Sequence, residues 1–178
     1  MRRITAAIIL CRFGDLVGTT PRPAQFYRDY FTEAGAGTGG AFDYWLEITY
    51  GNVSLEGSQV FGWFNMTRTT QDRDALTFPA GRSTLAQWGV DTAVANGIDP
   101  SQFSTVIVVF NTSTDHGHAG GNRMVLGYSG TSWEPTFIAH EMGHCMGLDH
   151  SWSANPDTVY GDRWDIMSAM NVWTFQSN

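Results

Sequence analysis

Cysteine is too scarce here for a disulfide framework: the chain holds only Cys11 and Cys145, and they lack the CxxC spacing of a redox or zinc pair. Basic residues are scarce as well. Ten Lys and Arg against seventeen Asp and Glu leave a net charge of -7, without the clustered cations that phosphate-backbone binding requires, so nucleic acid is not an expected partner. No apolar run approaches the roughly 18 residues of a membrane helix, so no membrane partner is expected and the chain is expected to be soluble. The opening MRRITAAIILCRFGD has a basic start, but its apolar run is short, Arg12 follows at once and no small-residue cleavage site appears, so it reads as a strand and not as a clear signal peptide. No internal repeat, low-complexity tract or interdomain linker is visible. What is present is apolar: 42% hydrophobic and 13% aromatic residues suffice for one packed core, and residues 1–178 are expected to form a single domain.

The pattern along the chain alternates between strand and helix. ITAAIILCRF (4–13) is apolar on both faces, as in a sheet strand covered on both sides. TPRPAQFYRDYFTEAG reads as a loop, and TGGAFDYWLEITYG as a helix with Phe42, Trp45 and Leu46 along one face and Gly51 as its stop. NVSLEGSQVFGWFNM alternates like a strand bent at its glycines. Residues 82–96 carry Leu85, Trp88 and Val94 at roughly helical spacing, and STVIVVFN (104–111) is another fully apolar strand. HGHAGGNRMVLGYSG reads as a glycine-rich turn and then an exposed edge strand beside a cleft, and a third helix is expected from near Trp133 to about Met146. Strands separated by helices predict an α/β layered sheet with right-handed crossovers.

Histidine is scarce too, five in all, and three of the five fall in FIAHEMGHCMGLDHS, residues 137–151. Positions four apart share a helix face, so His140 and His144 present two imidazoles to one point. Gly147 tolerates the left-handed conformation at a helix C-terminus, so the chain can turn sharply there and return His150 to the same point. Three neutral imidazoles leave the fourth tetrahedral position to water, which separates a catalytic zinc site from a structural one. Glu141, directly after the first ligand, lies beside the metal without needing to bind it, and is the candidate general base that takes a proton from the water and later delivers it to the leaving amine. The chemistry implied is hydrolysis of an amide, with a peptide or protein as substrate. A bare HExxH occurs by chance on ordinary helices; here the glycine and the third histidine are further independent matches.

HEMGHCMGLDH matches in full the HExxHxxGxxH motif of the metzincin zinc peptidases, and the chain resembles that family. The resemblance implies a tight turn beneath the zinc site, the Met-turn; Met167 in DIMS is its candidate methionine and Met170 the alternative. It also implies an α/β (α+β) fold, a metzincin-like catalytic domain with a twisted mixed sheet, an antiparallel edge strand, two long helices, the active-site helix and the Met-turn. AFDYWLEITYGNVSLEG, VFGWF and YGDRWDIMSAMN are similar to gametolysin-like and immune-inhibitor-like peptidases. Astacin-like and serralysin-like members carry a tyrosine two residues after the turn methionine, where this chain has Ala169, so no tyrosine ligand or oxyanion donor is assigned. A monomeric, secreted mature domain with one catalytic zinc is the expectation.

Metzincins often carry a second, structural metal, for which His116 and His118 with Asp115 in TDHGHAGG are the candidates. No loop has EF-hand spacing, so Asp115, Asp157 and Asp162 are assigned no calcium. Asp165 precedes the Met-turn and is placed to orient it or a ligand imidazole. Asn52, Asn65 and Asn111 fall in N-x-S/T sequons, and Trp173 and Phe175 are candidates to line the specificity pocket. If the first strand lies under the active-site helix, Cys11 and Cys145 come within disulfide range. The competing function is a zinc-containing, non-catalytic recognition or adhesion module on the same fold; such a module has no need of a base at Glu141.

Overall fold

A computed structural model describes residues 1–128, 133–151, 160, 162 and 165–168. The elements run in the order β1 (Arg2–Arg3), β2 (Ala6–Arg12), α1 (Ala24–Phe31), α2 (Ala41–Ile48), β3 (Val53–Ser54), β4 (Gln59–Asn65), α3 (Thr70–Asp74), α4 (Gly81–Ala95), β5 (Thr105–Phe110), β6 (Gly117–His118), β7 (Arg123–Leu126) and α5 (Pro135–Cys145). The fold is mixed α/β. Five strands form one mixed sheet in the order β4-β2-β5-β7-β6. All its pairings are parallel except the last, where β6 runs antiparallel to β7 at the edge.

The two apolar strands at the sheet centre have helices on both faces because successive side chains point to opposite sides. Ala6, Ile8 and Leu10 of β2, with Ile107 and Val109 of β5, join a core shared with α1, α2 and α5. Ala7, Ile9 and Cys11, with Val106, Val108 and Phe110, join a second core beneath α4. α4 approaches β5 closely at Gly89, where a methyl group would collide with the Val108 side chain. The buried stripe of α4 is Leu85, Ala86, Gly89 and Ala93. Val94, expected on that stripe, faces solvent at 57% exposure.

Two segments depart from the sequence reading. Residues 24–31, expected as a loop, form α1, which buries Tyr27, Tyr30 and Phe31. Their rings pack edge-on around Trp133 at 5.2, 5.8 and 6.3 Å, and the Tyr30 hydroxyl donates to the Trp133 carbonyl at 3.0 Å. This contact fixes where the chain enters α5. The stretch 116–130, expected as a glycine-rich turn followed by an exposed edge strand, holds two strands: β6 is the edge, while Met124, Val125 and Leu126 of β7 lie fully inside. Of the sequon asparagines, Asn111 is only 2% exposed, and its amide accepts from the Phe13 N–H and donates to the Leu16 and Thr19 carbonyls, so it is not open to modification in the folded chain.

The disulfide expectation fails on strand parity. Cys11 points toward α4, whereas Cys145 packs in the core on the other side of the sheet, and both are free and buried. Burial pushes the Cys11 thiol from its ordinary value of 9.0 up to about 12. Above pH 9 the unfolded thiol therefore ionises while the folded one keeps its proton, so this group lowers stability as pH rises from 9 toward 12. In thiol titration without reductant, the native protein is expected to react at neither cysteine and the unfolded protein at two; a count of zero after unfolding would restore the bridge.

Candidate metal centre

Helix α5 starts with Pro135 in its first turn, where a missing N–H costs nothing, and ends in a tight reversal. Gly147 adopts φ 87°, its N–H donates to the His144 carbonyl, and the Leu148 N–H reaches back to the Gly143 carbonyl, both at 3.0 Å. This paired closure needs a residue tolerant of left-handed φ, and glycine supplies it. The reversal carries His150 back to the helix. Its ring centroid lies 4.6 Å from that of His144 and 5.5 Å from that of His140, and the His140 and His144 rings are 4.8 Å apart. One ring nitrogen from each of the three lies within 4.8 Å of the others, so the group can hold a metal ion.

Backbone carbonyls set which nitrogen is available. His140 Nδ1 is 2.9 Å from the Ile166 oxygen and His144 Nδ1 is 2.8 Å from the Leu148 oxygen. A carbonyl only accepts, so Nδ1 carries the hydrogen in each ring and the neutral imidazole keeps its lone pair on Nε2. Burial lowers the pKa of both His144 and His150 below the ordinary value, and neighbouring imidazoles push in the same direction. The Nε2 atoms of His144 and His150 face one another at 3.0 Å, and Tyr160 Oη stands 3.0 Å from the same His150 atom. A single proton on His150 Nε2 can serve only one of these contacts, whereas a cation satisfies all the lone pairs at once. The chemistry of the donor set fits a metal ion.

A turn at residues 165–168 underlies the histidines. Asp165 accepts the Met167 N–H through its carboxylate at 2.8 Å and the Ser168 N–H through its carbonyl at 2.9 Å, which is the orienting role expected of it. The Ile166 carbonyl then faces His140, and the Met167 carbonyl accepts the Ser151 N–H at 3.0 Å. Met167 is 3% exposed and packs on Gly143, where a methyl group would run into its sulfur. Tyr160 joins the same network: its N–H donates to the Ser151 carbonyl and its carbonyl accepts the Ser168 hydroxyl, each at 3.0 Å. It holds φ 68°, a left-handed conformation that costs an L-residue about 1–2 kcal/mol. A tyrosine thus contacts the histidines, from a position before the turn methionine that the sequence reading did not single out. The sequence offered no signal for it, because Tyr160 is placed by hydrogen bonds to distant segments and precedes the turn methionine instead of following it.

Glu141 faces the sheet edge. Its Oε2 accepts the His118 N–H of β6 at 2.6 Å. The approach depends on Gly117 at φ 129°, where a methyl group would stand 3.2 Å from that oxygen and 2.9 Å from Arg82 Nη1. Arg82 reaches from α4 to grip Asp115 through two hydrogen bonds, at 2.6 and 3.1 Å. His116 meets the Phe137 ring edge-on at 5.1 Å, and His118 Nε2 donates to the Gly121 carbonyl at 2.9 Å. The metal-capable group among the described residues is His140, His144 and His150; the candidate second site at Asp115, His116 and His118 does not form one. Asp157, Ala169, Met170, Trp173 and Phe175 lie outside the described residues.

No protein-family model matches the chain, and no curated protein matches it.

Replacing Gly143 by alanine is expected to force Met167 away from α5 and, through Ile166, to shift the His140 ring. Overpacking of this kind costs about 1–3 kcal/mol, to be read by thermal unfolding, with a parallel loss of metal affinity in a chelator competition. A variant as stable as its parent would show that the sulfur does not rest there.

Proposed function

We propose that the chain is a zinc-dependent endopeptidase of the metzincin type. The observation that carries the reading is the Glu141 carboxylate, set beside three converging imidazoles and anchored on the backbone of the sheet's antiparallel edge strand. The HExxHxxGxxH spacing, the turn around Met167 beneath the histidines and the antiparallel position of β6 support it. Imidazole nitrogens suit zinc better than calcium or magnesium, which prefer oxygen. Zinc–nitrogen bonds of about 2.0–2.1 Å imply tetrahedral edges of about 3.3 Å. That value falls between the 3.0 Å separation of the His144 and His150 Nε2 atoms and the 4.8 Å limit of the set.

When bound, zinc supplies Lewis acidity toward the scissile carbonyl and lowers the pKa of a water to about 7. The chain's own residues do the rest. His140, His144 and His150 hold the ion. Glu141 keeps Oε2 on the His118 N–H, which fixes the carboxylate and leaves Oε1 to take a proton from the attacking water and return it to the leaving amine. Among the described residues β6 pairs only with β7 in the sheet, and the His118 N–H on its outer side goes to Glu141, so an extended peptide lying along this edge would run past Glu141. A monomeric, secreted enzyme acting on peptide or protein substrates belongs to the same proposal.

Glu141→Gln keeps side-chain size and removes the proton acceptor. Peptide hydrolysis is expected to fall by about 10² to 10⁴, with zinc content unchanged, while His144→Ala loses zinc and activity together. Parental turnover by the zinc-loaded Glu141→Gln protein would refute the base assignment. A zinc-loaded parent that cleaves no member of a diverse peptide library would favour the non-catalytic recognition module instead.

A further inference from the structure

The metal centre leaves unused the N-x-S/T sequons at Asn52, Asn65 and Asn111, and the fold treats them differently. An N-linked sugar needs an asparagine amide and a hydroxyl two residues on that face solvent together, and it places a bulky group at the surface. Asn111 is 2% exposed and spends its amide hydrogens on the Leu16 and Thr19 carbonyls, so a sugar there is incompatible with the folded chain. Asn52 is exposed, but its Nδ2 donates to the Thr49 carbonyl at 3.0 Å. The hydroxyl of its sequon belongs to Ser54, buried in β3, and accepts the Glu56 N–H.

The sequon NMT, at the end of β4, meets both conditions: Asn65 and Thr67 are exposed, while Met66 between them is buried. The backbone produces this alternation. The Met66 N–H donates to the Arg12 carbonyl and the Arg68 carbonyl accepts the Gly14 N–H, both at 2.8 Å, so the segment is held along the end of β2 with its first and third side chains outward. Arg12 also orients the amide. Its guanidinium lies 3.3 Å from Asn65, and because a guanidinium only donates, Oδ1 faces it and Nδ2 faces away, where among the described residues no acceptor takes it. Asn65 is also one wall of a cleft of about 240 Å³ shared with Trp88, Asp91 and Asn96, so a first sugar ring has room beside the protein.

We propose that Asn65 is the N-glycosylation site of this chain, its Nδ2 taking a sugar chain from a polyprenyl-diphosphate-linked oligosaccharide in a secretory pathway. The new bond joins Nδ2 to the anomeric carbon, and the bond from that carbon to the diphosphate breaks. The diphosphate leaves with the electron pair, and the amide gives up one proton. Oδ1 stays with Arg12 throughout. The inference rests on the secreted reading above, but not on zinc or on hydrolysis.

The test leads the full-length chain into the secretory pathway of a eukaryotic cell through a cleavable leader. Occupied asparagines are then read by mass spectrometry after a peptide N-glycosidase in heavy-oxygen water has converted each to a labelled aspartate. The exported protein is expected to carry a single glycan, at Asn65; Asn65→Gln and Thr67→Ala each remove it, and Asn52→Gln leaves it in place. An empty Asn65, or a glycan on Asn52 or Asn111 of the exported protein, overturns the proposal. If no chain is exported, the same map on chain translocated into microsomes decides the question by the occupancy of Asn65 alone. The leader supplies the secretion, so an empty Asn65 tells against the acceptor and not against the secreted reading.

Discussion

Two carbonyl oxygens, those of Leu148 and Ile166, decide which nitrogens of His144 and His140 are offered to a metal. Each binds an Nδ1–H and so directs the Nε2 lone pair inward. The Leu148 carbonyl is in position because α5 ends at Gly147, whose left-handed backbone reverses the chain. The Ile166 carbonyl is in position because the turn at 165–168 is closed by Asp165 and pressed onto Gly143 by Met167. Two glycines on one short segment thus do different work: Gly147 supplies a conformation, and Gly143 supplies space.

The edge strand β6 joins the two sides of the molecule. α4 lies on one face of the sheet and α5 on the other, and β6 touches both, through Gly117 beside Arg82 and through the His118 amide on Glu141. The Arg82–Asp115 pair is about a quarter exposed on each side, so it contributes little to stability, but its two-point grip fixes the segment that leads into β6. The Glu141 carboxylate is thereby held in register with the backbone of the edge strand, and on the proposed reading with a peptide lying along it.

The central strands and the histidine-bearing helix were legible in the sequence because their signals are local. Residues 6–11 and 106–110 are apolar at every position, and HEMGHCMGLDH places its histidines by helical period and one glycine. α1 was hidden behind Pro21 and Pro23, which read as loop, although Tyr27, Tyr30 and Phe31 already stand at i, i+3 and i+4. Val94 misled because helical spacing alone does not say which side of α4 meets the sheet; the small residues Ala86, Gly89 and Ala93 do. Cys11 and Cys145 looked pairable until the face of the sheet that carries α5 was known. Tyr160 was not legible because the contacts described for its backbone are to Ser151 and Ser168, at separations that no local pattern encodes.

The central claim, that three imidazoles on α5 and the segment following it hold one zinc ion, is tested most directly by zinc X-ray absorption and elemental analysis of the reconstituted chain. About one zinc per chain is predicted, in a shell of nitrogen and oxygen at about 2.0–2.1 Å, with the outer-shell scattering of three imidazoles from His140, His144 and His150. Failure to take up zinc would contradict the claim, as would a sulfur shell near 2.3 Å, which would place the metal on Cys145 or Cys11 instead.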